Sequence, residues 1–86
     1  MNVGIIGSGG REHAICYMLN KSKKVSKIFC FPGNAGTGLI AQNINLDPDN
    51  FSGLEEYCIK KEIKLLINFF LFIGKFHFYF LSVFCY

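Results

Sequence analysis

The stretch NVGIIGSGGREHAI, residues 2 to 15, constrains this chain more than any other. Val3 to Ile6 is a compact apolar run closed by glycine, the pattern of a strand buried on both faces. Gly7-Ser8-Gly9-Gly10 follows, and then Arg11, Glu12 and His13 open a segment with helical period. Ala14, Ile15, Met18 and Leu19 are expected to share its buried face, with Arg11, Glu12 and Asn20 elsewhere. A strand, a glycine turn and a helix start together make an anion site. The first helical N–H groups have no internal partner, and the macrodipole adds roughly half a positive charge. Glycines let the backbone approach a phosphate with no Cβ in the way.

The same alternation continues. KIFCF (27–31) reads as a second strand, closed by Pro32-Gly33, and NINL (43–46) as a short third. DPDNFSGLEEY offers two helix starts: Asp47 with Pro48 at the first helical position, or the box Ser52-x-x-Glu55. Phe51, Leu54 and Cys58 fall on one stripe of that helix, and IKLLI (63–67) reads as another buried strand. The order β-α-β-β-α-β with short connections predicts an α/β fold, a small partly parallel sheet with flanking helices. Eighty-six residues make one small domain. Such a domain buries only about 60–65% of its unfolded surface, so its stability margin is thin.

After residue 67 the character changes, dividing the chain into an α/β domain (1–67) and an apolar tail (68–86). FFLFIGKFHFYFLSVFCY holds seven of the ten phenylalanines, with no helical stripe and no cap. Three readings stay open for it. It is long enough for a membrane helix, but Lys75 and His77 fall near its middle, where a charge costs about 2.5–3.5 kcal/mol. It is apolar enough for a buried element, but burying so many rings on two sides needs a larger protein. Its Phe, Leu, Ile, Asn, Lys and Tyr are also what AT-rich codons specify, so translated non-coding DNA would look like this; the composition fits this reading best.

Charge and cysteine usage narrow the function classes. The net charge is +3, and no basic stripe is interleaved with aromatic residues, which speaks against nucleic acid. Lys21, Lys23 and Lys24 read as a solvated helix end. Cys16, Cys30, Cys58 and Cys85 form no close pair of the kind a zinc site needs. The start lacks a basic region and a small-residue cleavage site, so a reduced cytoplasmic setting and no membrane are expected. The cysteines then read as small buried hydrophobes.

Several phosphate-binding classes can be separated by motif. Gly7 and Gly9 match the first two glycines of the dinucleotide fingerprint G-x-G-x-x-G, but the third position is Glu12. The acid that would hold a ribose is also missing from the end of the second strand, at Phe31-Pro32-Gly33. No Gly-Lys-Ser/Thr follows the turn, which rules out a Walker loop. A smaller phosphorylated metabolite fits better, with Arg11 as a fork of donors and Glu12 and His13 orienting hydroxyl or amine groups. The plainer alternative is that Glu12 only favours the helix N-terminus and His13 only packs. A second turn, PGNAGTG (32–38), follows the second strand and is rich in N–H groups free to bind. It is either a plain turn or the other wall of a crevice.

GSGGREHA followed by VSKIFCFPGNAGTG resembles the opening of the phosphoribosylamine–glycine ligase (glycinamide ribonucleotide synthetase) family, over about residues 1 to 67. The resemblance implies a Rossmann-like domain that precedes an ATP-grasp. It implies a step of purine biosynthesis in which glycine is joined to 5-phosphoribosylamine with ATP cleavage and Mg²⁺. The family's first loop matches Gly9, Gly10, Arg11, Glu12 and His13, and its second matches Pro32, Gly33, Asn34, Gly36 and Thr37. These ten residues are expected to bind the substrate 5-phosphoribosylamine, with no catalytic residue and no metal ligand in this chain. After IKLLI the family continues into a Val-Gly-Pro-Glu type turn, where this chain has Asn68-Phe69-Phe70. The expectation is an incomplete domain whose ATP and Mg²⁺ sites belong to the missing ATP-grasp part, inactive alone. The alternative is a free-standing sugar-phosphate or nucleotide module with a membrane-associating tail.

Overall fold

The computed structural model describes the backbone of residues 1–72 and 77–85, and side chains through residue 68. Strand β1 (Asn2–Gly7) leads into helix α1 (Gly10–Asn20), and β2 (Ile28–Pro32) into a single 3-10 turn (Thr37–Leu39) and a short β3 (Gln42–Asn43). Helix α2 (Phe51–Lys60) is followed by β4 (Ile63–Phe72) and β5 (His77–Cys85). The sheet order is β3-β2-β1-β4-β5. The first four strands are parallel, and β5 pairs antiparallel with β4. This is the α/β architecture expected, with β1 central, which is why its apolar run is continuous.

Alternate residues of the strands feed two cores on opposite faces. Phe29, Phe31, Ile63 and Leu66 pack with Leu54 and Cys58 of α2. Ile5, Ile28 and Cys30 pack with Cys16 of α1, flanked by Ile15 and Leu19. Tyr57 meets Phe29 and Phe31 edge-on, with ring centroids 6.0 and 5.6 Å apart. Gly4 faces the first core, where an added Cβ would lie 2.8 Å from Leu66 Cδ1 and 3.0 Å from Phe31 Cε2. Only a bare backbone there lets the two side chains close over β1.

Several local expectations give way. The buried side of α1 is Ile15, Cys16 and Leu19, while Ala14 and Met18 are exposed. The helix is apolar nearly all round, so its period alone could not select the face. Phe51 is 74% exposed and only Leu54 and Cys58 of its expected stripe are buried, because Phe51 is the first residue of α2 and lies beyond the sheet's cover. The cap of α2 is neither Asp47-Pro48 nor the Ser52 box: Asn50 Oδ1 accepts from Gly53 N at 3.1 Å. Asp47 instead closes the preceding turn by accepting from Asp49 N. The third strand is shorter than NINL and lies one residue earlier.

Cys16, Cys30 and Cys58 are buried free thiols, as expected of small hydrophobes. Burial raises all three, that of Cys30 to about 12, so none is a nucleophile near neutral pH. Cys85 lies outside the described side chains. The tail's backbone is strand at 69–72 and 77–85, so a membrane helix is not what these residues form. Among the described residues no helix is long and apolar enough to cross a membrane. The buried-element reading of the tail concerns side chains outside the described residues, and the codon-bias reading concerns the gene rather than the fold.

Candidate functional site

Both glycine loops leave the sheet at the same edge. Gly7, at the end of β1, lies opposite Pro32, at the end of β2, and Gly33 N donates to Gly7 O at 2.9 Å. The chain runs from β1 out to β2 and β3, then returns to place β4 on the other side of β1. The loop after β1 therefore stands at the point where the strand order reverses, at the carboxyl ends of parallel strands, where open α/β sheets bind ligands.

Within the first loop, Gly7 has φ of 139°, and a Cβ there would run into the Glu12 side chain. Glu12 folds back over the turn and accepts from Gly9 N at 3.1 Å. The carboxylate occupies the place where a dinucleotide fingerprint has glycine, and holds the turn closed. It also favours the positive end of α1. Gly10 and Arg11 form the exposed first turn of that helix.

The second loop is braced from inside. Gly33 has φ of 76°, a conformation that favours glycine. Asn34 Nδ2 donates to Ser8 O at 2.9 Å and to Gly9 O at 3.2 Å, while its Oδ1 accepts from Thr37 N at 2.9 Å. Thr37 is fully buried; its Oγ1 accepts from Asn34 N at 2.8 Å and lies 2.7 Å from Asn43 Oδ1. Gly36 is in contact with the His13 imidazole, whose Nδ1 would lie 2.6 Å from a Cβ at that position. His13 thus packs on the second loop's backbone from the first turn of α1.

The ten expected site residues consequently fall into one neighbourhood, in two kinds of position. Glu12, Asn34 and Thr37 direct their polar atoms into the loops, and His13 packs between them. Gly9, Gly10, Arg11, Pro32, Gly33 and Gly36 form the backbone surface around them. A recess of about 330 Å³ adjoins this surface, lined by Gly10, His13, Ala14, Tyr17 and Met18. Two contributors were not anticipated: the Ser8 carbonyl and Asn43. Asparagine is depleted in strands, so Asn43 in a strand position was the one signal available. Among the described residues no three His, Cys, Asp or Glu side chains converge as metal ligands would.

Parallel strands with two glycine loops clamped together at the switch point define a small α/β domain of the Rossmann-like kind. Residues 1–68 match the family model described as phosphoribosylglycinamide synthetase, N domain, and the chain belongs to that family. It is similar to the phosphoribosylamine–glycine ligase of Caldanaerobacter subterraneus subsp. tengcongensis, 42% identical over 67 residues, 78% of this chain and 16% of the relative. The same enzyme of Rhodopirellula baltica is 42% identical over 66 residues, 77% of this chain and 15% of that protein. That of Vibrio parahaemolyticus serotype O3:K6 is 45% identical over 69 residues, 78% and 16%. The chain thus spans about a sixth of the length of the relatives it matches.

Proposed function

We propose that residues 1–67 carry the amino-sugar-binding site of a cytoplasmic phosphoribosylamine–glycine ligase. Its ligand is 5-phosphoribosylamine, the acceptor to which the complete enzyme joins glycine in purine biosynthesis. The observation that carries this reading is the Asn34 side chain, which binds the carbonyls of Ser8 and Gly9 and makes one site of two loops. The N–H groups at the start of α1 and the Arg11 guanidinium receive the phosphate. The loop 33–37 lies against the sugar, with Pro32 shaping its entry and the imidazole of His13 filling the space beneath.

Among the described residues no three His, Cys, Asp or Glu side chains converge to suit Mg²⁺, and no lysine directly follows the glycine turn. In this reading ATP and Mg²⁺ bind the ATP-grasp part of the complete enzyme, and catalysis falls to the two parts together. Calorimetry of the 86-residue chain with ribose 5-phosphate, a stable stand-in for the amino sugar, tests the reading. Saturable binding is expected, with ribose at least tenfold weaker, since a charge-assisted phosphate contact is worth about 1.5–3 kcal/mol. Equal affinity for ribose and ribose 5-phosphate, or no binding of either, would refute it.

A further inference from the structure

Asn43 is the last residue of β3, an edge strand of the sheet, yet its carboxamide reaches into the second glycine loop. Its Nδ2 donates to Asn34 O at 2.7 Å, and its Oδ1 lies 2.7 Å from Thr37 Oγ1. The same group fills the space beside two glycines. A Cβ on Gly33 would collide with Asn43 Oδ1, and one on Gly38 would lie 3.1 Å from Asn43 Nδ2. The carboxamide is therefore threaded between the start and the end of the loop, and both of its polar atoms are used there.

The consequence reaches the first loop through two links. Asn43 fixes the Asn34 carbonyl and the Thr37 hydroxyl. Thr37 in turn accepts from the Asn34 amide and donates its own amide to Asn34 Oδ1, which aims Asn34 Nδ2 at Ser8 O and Gly9 O. We infer that Asn43 is a positioning residue for the ligand site, setting the second loop's conformation and, through Asn34, its distance from the first. This rests on the proposed sugar-phosphate reading for its ligand, but not for the loop geometry. Side-chain oxygen and side-chain N–H are both required. An aspartate at 43 keeps the acceptor for Thr37, but above its pKa it sets a carboxylate oxygen against the Asn34 carbonyl. Below that pKa the protonated acid donates there again.

The test compares the whole chain with its Asn43→Ala and Asn43→Asp variants by two readouts. Asn43 is exposed and at the sheet margin, so both variants are expected to fold. The first readout is amide hydrogen exchange at Asn34 and Thr37. In Asn43→Ala it should speed up about tenfold at those two amides, as the loss of roughly one hydrogen bond allows, while exchange in β1 is unchanged. The second is ribose 5-phosphate affinity, which should fall about five- to tenfold by the same reckoning. In Asn43→Asp the deficit relative to the parent chain at the same pH should shrink as the pH falls through about 4, the ordinary Asp range. Unchanged affinity in both variants, with the parent binding normally, would overturn the positioning role. A parent chain that does not bind would instead refute the sugar-phosphate reading, and the exchange rates would still decide whether Asn43 orders the loop.

Discussion

Replacing Asn34 by alanine is expected to weaken ribose 5-phosphate binding by about 30- to 100-fold, the largest effect of any single change that leaves both cores intact. The side chain makes three hydrogen bonds, two as donor to the first loop and one as acceptor within the second. Each is worth about 1 kcal/mol, and their loss lets the two loops separate before any ligand arrives, so binding must reassemble them. Asn34→Asp should be no better, because it keeps the acceptor but sets a carboxylate against the carbonyls of Ser8 and Gly9. Calorimetry beside urea denaturation checks the prediction. Affinity should collapse while stability falls by about 1–2 kcal/mol, as expected for bonds at an exposed surface. An Asn34→Ala chain that binds like its parent would mean that the two loops act independently.

The second large effect concerns the sheet that carries the loops. Phe31 is fully buried, packs edge-on against Tyr57 and lies two residues before Gly33. Phe31→Ala should cost about 3–5 kcal/mol, the sum of lost transfer and the cavity left between β2, β4 and α2. For a chain of 86 residues, total stability is on the order of 4–13 kcal/mol, so this one change removes much of the margin. Phe51→Ala is the control: with its ring 74% exposed, it should move stability by less than about 0.5 kcal/mol. Urea midpoints of the two variants, at equal m-value, decide it. Equal losses would mean that the core between the sheet and α2 is not closed.

How much of this was legible from the residues depended on range. The strand, glycine turn and helix at 2–15 were read correctly in kind because each signal is local: a continuous apolar run, four small residues, a 3.6-residue period. The face of α1 was not, because Ala14, Ile15, Cys16, Tyr17, Met18 and Leu19 are all apolar enough to be buried. Only the position of Ile5, Ile28 and Cys30 in the sheet selects Cys16. The cap at Asn50 was hidden among Asp47, Asp49 and Ser52, all of which cap helices equally well by type.

The site shows the same division. Both loops could be found by their glycines, and Gly33 at positive φ is the sort of residue a loop signal implies. The destinations of the Asn34, Thr37 and Asn43 side chains could not, since Asn34 alone reaches partners 25 and 26 residues away. An asparagine in a turn looks like a left-handed backbone residue. Here it ties two loops together through its carboxamide.

The function proposed for this domain requires that the two loops receive one ligand. The direct measurement is a map of backbone amide shifts as ribose 5-phosphate is titrated into the isotope-labelled chain. Shifts concentrated at residues 8–13 and 33–38, saturating with a single affinity, are the predicted result. Shifts centred on the opposite edge, around Lys27, Lys60 and Lys61, or confined to one loop, would contradict it.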